Sequence, residues 1–196
     1  GTIKPVHWEA FSSSFRACSK FRIFNFKLCF KLLLTGKSLF THTSQYNPRC
    51  PACSHPEECN HHLFQCQAVS RRRWQTSCLK TVRTQAETIK TDPKLVHILL
   101  AGLRSYFADK DLPLDKFSKY PAEYHKLIES QEAIGWEHLL RCQVSSLWGH
   151  LQQDFMYKRH PTIKFDYDKW YRKLLGPYSW NATPSGPSET ASATVL

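Results

Sequence analysis

Three cysteines and one histidine in the first third of this 196-residue chain have the spacing of a metal site. Two residues separate Cys50 from Cys53, and three residues separate His62 from Cys66. A tight turn lets a Cys-x2-Cys pair reach one ion, and a helix places residues four apart on the same face. Because zinc takes four thiolate or imidazole ligands in a tetrahedron, this pattern predicts one structural Zn²⁺ ion per chain.

Other donors lie in the same window, so the choice of the fourth ligand has alternatives. Cys59 and His61 are each close enough in sequence to replace His62. We favour His62 because its neighbours Leu63 and Phe64 supply apolar anchors for the ligand-bearing segment. A disulfide within the Cys-x2-Cys pair is the remaining alternative, and the sequence shows no secretory segment that would place it in an oxidising compartment.

Motifs that would make the chain an enzyme are absent from its sequence. It has no Tyr/Phe-x-Asp-Asp pair to hold polymerase metals, no His-Glu-x-x-His and no glycine-rich phosphate loop. Asp166 and Asp168 are predicted to cap a short helix. Since four protein ligands leave no open position on a metal, we expect a protein that is not catalytic by itself and takes no small-molecule substrate.

Positive charge is concentrated around the predicted metal site. The net charge is +11, and residues 16–90 carry 13 Lys and Arg against 3 Asp and Glu. A basic patch of this kind is typical of proteins that bind RNA or DNA through the phosphate backbone. Tyr46, in a polar segment, is the candidate for stacking on a base. The candidate backbone contacts are Arg16, Lys20, Lys27, Lys31, Arg71, Arg72 and Arg73.

The elements that position these residues are predicted to be helices. Residues 15–34 form a helix with a basic face, and Gly36 is predicted as its C-terminal cap. A second helix carries an apolar stripe from Trp74 to Ile89. Asp92 is predicted to cap the next helix.

The second half of the chain is predicted to continue in the same way. Residues 110–119 are expected to form a polar connector, and 121–159 one long helix. Residues 166–175 are predicted to add a short final helix. Pro, Gly, Ser and Thr dominate after 176, which is typical of a disordered tail.

These elements predict a mainly α fold, a helical domain with one embedded Cys3His zinc module. The expected regions are a basic helical segment 1–46, the zinc module 47–67, a helical region 68–175 and the disordered tail 176–196. The most apolar stretch, 23–34, is too short to span a bilayer, so we expect no membrane contact. We expect an intracellular location, in nucleus or cytoplasm, and, because the chain starts at Gly1, a fragment or a processed product.

The segment 31–73 resembles the zinc-binding segment that follows the reverse transcriptase domain of non-LTR retrotransposons. Both have a Thr-Gly turn, a Cys-Pro-x-Cys pair, an acidic residue and then a His-Leu-Phe-x-Cys run. The acidic residue here is Glu58. The resemblance implies that Cys50, Cys53, His62 and Cys66 are the ligands. It further implies template RNA or target DNA handling beside an upstream reverse transcriptase domain, within an RNA-directed DNA polymerase polyprotein.

Two other functions remain open on the sequence alone. The zinc module would also suit a helical scaffold for protein interactions, with the stripe from Trp136 to Phe155 as its docking face. An inactive remnant of a retroelement would carry the same residues.

Overall fold

The computed structural model describes residues 6–9, 11–12, 27, 30–162 and 164–175. Within them the fold is mainly helical, as the sequence predicts, and the one bridge between extended segments joins Val6 to Ser145. No helix in this part of the chain has the length and apolarity needed to cross a membrane. The predicted tail, 176–196, and most of the helix predicted over 15–34 lie outside the described residues. The helices are α1 Gly36–His42, α2 Asn60–Gln65, α3 Val69–Thr88, α4 Pro93–Ala108, α5 Ala122–Ile134, α6 Leu147–Arg159 and α7 Tyr167–Leu175.

The chain before α1 differs from the prediction of a helix that stops at Gly36. Lys31 has a left-handed φ of 59°, and the Leu32 N–H donates to the Lys27 carbonyl at 2.6 Å. This pattern ends a helical turn at Lys31. Gly36 instead begins α1, and the Thr35 side chain caps that helix by accepting a backbone N–H of its first turn. The predicted cap at Gly36 is therefore wrong, because the preceding threonine is a start signal.

Helix α3 confirms the predicted apolar stripe. Trp74, Cys78, Val82 and Ala86 are buried, while Ile89 follows the last helical residue and is half-buried. These side chains recur at steps of four, so they form one face that packs against α4.

Helix α4 begins as predicted and forms the centre of the core. The Asp92 carboxylate accepts from the Lys94 N–H at 2.9 Å, and Pro93 occupies the first helical position. Leu95 and Leu103 have no exposed surface. Burial of each such leucine contributes about 2 kcal/mol relative to an exposed position.

The segment predicted as a polar connector, 110–119, also contributes to the core. Leu112 is buried and Phe117 has no exposed surface. A short 3-10 turn, Leu114–Phe117, directs the phenylalanine inward. The prediction missed this because Leu112, Leu114 and Phe117 form no periodic stripe in an otherwise polar stretch.

The long helix predicted over 121–159 is interrupted at Gly135. Helix α5 ends at Ile134, because Gly135 takes a φ of 110°, a conformation that favours glycine. The chain then forms a 3-10 turn in which the Trp136 ring packs onto Gly102 of α4. A β-carbon on Gly102 would overlap the indole, so the two glycines together permit this contact.

A second interruption follows at Cys142, whose φ of 58° is left-handed, so that α6 begins only at Leu147. The predicted apolar stripe is nevertheless buried in this protein's own core at Leu140, Val144 and Leu151. These three side chains are therefore not a free face for a partner.

Helix α7 confirms the predicted final helix. The Asp166 carboxylate accepts from the Lys169 N–H at 2.8 Å and caps it, whereas Asp168 is an exposed residue of the first turn. The Trp170 indole donates to the Thr91 hydroxyl at 3.1 Å. This buried bond fixes α7 to the segment between α3 and α4.

Candidate metal centre and basic surface

A tight loop presents the first two ligands. The Ser54 N–H donates to the Cys50 carbonyl at 2.8 Å, and the Cys50 N–H donates to the His55 carbonyl at 2.9 Å. Ser54 takes a left-handed φ of 61°, which lets the chain reverse directly after Cys53. The sulfur atoms of the Cys-x2-Cys pair therefore point to one side of the loop, as the spacing predicts.

The short helix α2 presents the other two ligands. The Cys66 N–H donates to the His62 carbonyl at 2.8 Å, so both side chains lie on one helical face. Cys59 is the N-cap, and its sulfur accepts from the His62 N–H at 3.4 Å. The His61 ring packs edge-on against Tyr106 of α4. Both alternatives to His62 are thus used for other contacts.

The four donor atoms form a compact cluster that can hold a metal ion. The Sγ atoms of Cys50, Cys53 and Cys66 and an imidazole nitrogen of His62 all lie within 4.8 Å of one another. The Cys50 and Cys66 sulfur atoms are 3.9 Å apart, and the Cys53 sulfur lies 3.2 Å from His62 Nε2. A tetrahedral zinc with bonds of about 2.3 Å to sulfur and 2.0 Å to nitrogen requires about 3.8 and 3.5 Å for these edges. These two edges lie near the tetrahedral values, and the four residues form a group that could hold a metal ion.

Electrostatics at the cluster favour a neutral imidazole. The pKa of His62 lies below its ordinary value because the ring is partly buried and because the charge on His55 disfavours protonation. Burial raises the pKa of the Cys66 thiol to about 11. At Cys53 burial acts in the same direction, but hydrogen bonds from the His55 backbone and from the Cys66 and Cys50 thiols outweigh it and lower the pKa. A metal must displace the Cys66 proton, so binding releases protons.

The cluster is asymmetric in its exposure. Cys50 and Cys66 are only 2% and 1% exposed, whereas Cys53 is exposed. The His55 ring stacks on His62 with 4.3 Å between ring centroids and orients the imidazole. A metal would therefore be buried on one side and open to solvent on the other.

Glu58 is a buried carboxylate beside the cluster that joins three segments. Its Oε2 accepts from the Gly36 N–H at 3.1 Å, and its Oε1 accepts from Arg71 Nη2 at 3.3 Å. Its backbone N–H donates to the Pro48 carbonyl at 2.7 Å, and its carbonyl accepts from the Lys37 N–H at 3.1 Å. The metal loop, α1 and α3 thus converge on one side chain.

Arg71 is therefore not part of an exposed basic surface, which corrects the prediction that it contacts nucleic acid. It is only 5% exposed, and its guanidinium pairs with Glu58. The sequence showed three successive arginines, and helical geometry turns the first inward while Arg72 and Arg73 face solvent.

Gln75 makes a second connection between the metal module and α3. Its side-chain nitrogen donates to the Phe64 carbonyl at 2.7 Å and to the Cys66 carbonyl at 3.2 Å. These carbonyls belong to the end of α2, where helical partners are missing. Arg71 and Gln75 lie one turn apart, so one buried edge of α3 holds the module at two points.

Only some of the other predicted nucleic-acid contacts lie within the described residues. Lys31 is exposed in the turn before α1, Lys27 is half-buried, and Tyr46 is 52% exposed. Arg16 and Lys20 lie outside the described residues. The predicted basic face of the 15–34 helix therefore lies mostly outside the described residues.

The outer face of α3 carries a cationic stripe that sequence reasoning recognised only in part. Arg72, Arg73, Lys80 and Arg83 are exposed and fall within an arc of about 100°, opposite the buried face. Within the described part of the chain, none of the four forms an ion pair with a carboxylate. Lys80 and Arg83 were missed, although they are in helical register with Arg72 and Thr76 and complement the Trp74 stripe. We call these four residues the α3 cationic stripe.

No protein-family model, no curated protein and no solved structure matches this chain.

Proposed function

We propose that this protein is a zinc-stabilised module that binds the backbone of RNA or DNA and is not catalytic by itself. The observation that carries the proposal is the link from the Cys3His cluster through Glu58 and Arg71 to α3. The same helix carries the α3 cationic stripe on its opposite face. The metal would thus hold a binding helix in place.

The ligand chemistry supports zinc in a structural role. Three thiolates and one imidazole are a donor set that zinc favours over harder ions such as Mg²⁺. Four protein ligands complete a tetrahedral shell and leave no site for a reacting water or substrate. The buried Cys50 and Cys66 anchor the ion against the core. In small modules of this kind, metal binding supplies on the order of 10 kcal/mol toward folding.

The charge distribution supports a polyanionic partner. The stripe from Arg72 to Arg83 extends about 17 Å along the helix axis. That length matches about five nucleotides at 3.4 Å per nucleotide of one strand. The four stripe residues form no ion pair with any carboxylate among the described residues, so they are available to neutralise phosphates and to release counterions.

The resemblance of segment 31–73 to retrotransposon zinc-binding segments supports a more specific role. On this proposal the module holds template RNA or target DNA beside a reverse transcriptase domain. Glu58 occupies the acidic position of that motif, and its bonds to Gly36 and Arg71 give that position a structural purpose.

The experiment is fluorescence anisotropy of the full zinc-loaded chain with labelled RNA and DNA of about 20 nucleotides, at salt concentrations between about 50 and 200 mM. We expect binding that weakens linearly in a plot of log affinity against log salt, with a slope of about −0.9 per phosphate contacted on duplex DNA. Absence of binding at the lowest salt, or affinity independent of salt, would contradict the proposal.

A further inference from the structure

A second basic site lies where α3, α6 and α7 meet, in a pocket of about 280 Å³. Its rim carries four lysines, of which one follows α3 and three lie within ten residues just before and within α7, so the fold brings two distant segments together. The four lysines are Lys90, Lys164, Lys169 and Lys173. The excess of charge noted at 16–90 gives no indication of this site, because three of the four lysines lie in a part of the sequence that is nearly neutral overall.

The lysines are not neutralised by carboxylates in the described part of the protein. Asp166 is the one acidic residue that lines the pocket, and its carboxylate accepts from the Lys169 N–H as the cap of α7. None of the four ammonium groups forms an ion pair with a described residue. The pocket therefore carries a net positive charge and suits an anionic ligand.

The backbone around the pocket is held in place by buried contacts. Lys90 has a left-handed φ of 56°, and its carbonyl accepts from the Gln152 side chain of α6 at 3.1 Å. The next residue, Thr91, accepts the bond from the Trp170 indole of α7. The pocket is therefore formed by three helices that are tied together, and not by mobile lysine side chains alone.

The wall of the pocket is apolar and partly aromatic. Phe165, Met156 and Ile89 are half-buried and line it together with Trp170. The ring centroids of Phe165 and Trp170 lie 6.0 Å apart. A partly exposed aromatic ring beside a lysine rim offers a surface for a base and charges for its phosphate.

We infer that this pocket holds one unpaired nucleotide, with its base against Phe165 and its phosphate among the lysines. This inference rests on the proposed function, since it extends the track of the α3 cationic stripe. The pocket begins at Thr88, about 8 Å along the helix axis from Arg83, which is two or three nucleotides at about 3.4 Å each. Its volume is close to the lower limit of about 300 Å³ for small-molecule sites, so it admits one nucleotide and no more.

An unpaired nucleotide is favoured over a duplex because of the apolar wall. In a duplex the bases stack on one another, and the outer surface offers mainly phosphates and sugars. Stacking on an aromatic side chain requires a base that is free of its neighbours, and it is largely independent of sequence. The pocket therefore predicts a preference for single strands.

The test uses the full zinc-loaded chain with three probes: a thymidine oligonucleotide of about 12 nucleotides, the same oligonucleotide in a duplex, and thymidine monophosphate. The pocket variants are Lys169→Gln/Lys173→Gln and Phe165→Leu. Lys116→Gln/Lys126→Gln is a charge-matched control at exposed positions away from the pocket. Thermal unfolding of every variant confirms that it is folded.

We expect Phe165→Leu to weaken single-strand binding about fivefold and to leave duplex binding unchanged, because only an unpaired base stacks on the ring. The double lysine variant should weaken single-strand binding and make its salt slope shallower by about 0.7 per lysine. The control pair should change neither. Thymidine monophosphate should bind far more weakly than the oligonucleotide, because it lacks the contacts with the α3 cationic stripe, and equal affinity would contradict a track that continues from the stripe.

The outcomes separate this inference from the proposed function. If the wild-type chain binds no nucleic acid, the proposed function fails. The pocket inference is overturned if Arg72→Gln/Arg73→Gln in the α3 cationic stripe weakens binding while both pocket variants bind normally. The proposed function stands in that case. Equal losses for single strand and duplex in Phe165→Leu would also overturn the assignment to an unpaired base.

Discussion

Glu58 Oε1 accepts a hydrogen bond from Arg71 Nη2 at 3.3 Å, and the two side chains are only 10% and 6% exposed. The pair connects the loop that precedes α2 to the first turn of α3. Removing both charges from water costs desolvation free energy, so a buried pair of this kind is stable only with additional hydrogen bonds. The Gly36 N–H supplies one of these to Glu58. The pair is therefore a fixed junction between the metal module and the helical core.

Substitution of Glu58 by Gln should destabilise the protein strongly. The change leaves the Arg71 guanidinium charged and buried without a counter-charge, at a cost of roughly 3 kcal/mol or more. Urea denaturation of the zinc-loaded protein, followed by circular dichroism, measures this free energy of unfolding. Glu57→Gln is the matched control: its pair with Lys37 is about half exposed, so solvent screens it and the substitution should change stability little.

Substitution of both partners tests whether the uncompensated charge is the cause. Glu58→Gln/Arg71→Met retains an acceptor for the Gly36 N–H and removes the buried charge, so it should recover part of the lost stability. A loss equal to the sum of the two single losses would contradict a direct interaction between Glu58 and Arg71.

Gly36→Ala should destabilise the junction on steric grounds. A β-carbon at Gly36 would lie 2.9 Å from the carbonyl oxygens of Asn47 and Pro48, which are backbone atoms. The Pro48 carbonyl cannot move away easily, since it accepts from the Glu58 N–H. We expect a loss of about 1 to 3 kcal/mol in urea denaturation. Thr41→Ala, at an exposed position of α1, should cost less than about 0.5 kcal/mol, and an equal cost for both would refute the steric explanation.

Removal of metal by a chelator should loosen one part of the structure. Amide hydrogen exchange reports this residue by residue. The N–H groups of Ser54, Glu58 and Cys66 form bonds within the metal module, and they should lose protection. Amides of α4 around Leu99 and Leu103 should keep it, because these residues are buried in a core formed by other helices. Equal loss of protection in both regions would show that the metal holds the whole fold.

The α3 cationic stripe should determine much of the salt dependence of nucleic-acid binding. Arg72→Gln/Arg73→Gln removes two phosphate contacts and should make the salt slope on duplex DNA shallower by about 1.8. Lys80→Gln/Arg83→Gln should act similarly, since these residues share the exposed face. Anisotropy titrations at several salt concentrations measure the slopes. Slopes identical to that of Lys116→Gln/Lys126→Gln would exclude the stripe from the interface.

Local spacing predicted the cluster of four residues that could hold a metal ion and the two central helices. The ligand cluster depends on a turn and a short helix that are adjacent in sequence, and the stripes from Trp74 and from Leu95 repeat at the helical period. Both features are encoded within about 20 residues, so tertiary packing does not have to be known.

The predictions of secondary structure are wrong where contacts with distant residues determine the local structure. Gly36 begins a helix because it fits beneath the carbonyls of Asn47 and Pro48 and donates to Glu58. The helix predicted over 121–159 breaks where Trp136 packs against Gly102. Thr35 and Gly135 are local signals for both changes, but the contacts that support them involve partners more than ten residues away.

The inward direction of Arg71 follows from the register of α3, but its ion pair depends on Glu58, 13 residues earlier. The pocket unites Lys90 with three lysines beyond residue 160. In contrast, the outward direction of Lys80 and Arg83 follows from the register of α3, so a full helical wheel of that segment would have predicted it.

The central claim is that Cys50, Cys53, His62 and Cys66 bind one zinc ion. The direct test is native mass spectrometry of the wild type, of Cys53→Ser and of Cys59→Ser, each purified with zinc present. We predict one zinc per chain in the wild type and in Cys59→Ser, because Cys59 caps α2 and serine serves equally well there. Cys53→Ser should lose the ion. A folded wild-type chain without zinc, or equal zinc loss in both variants, would contradict the account.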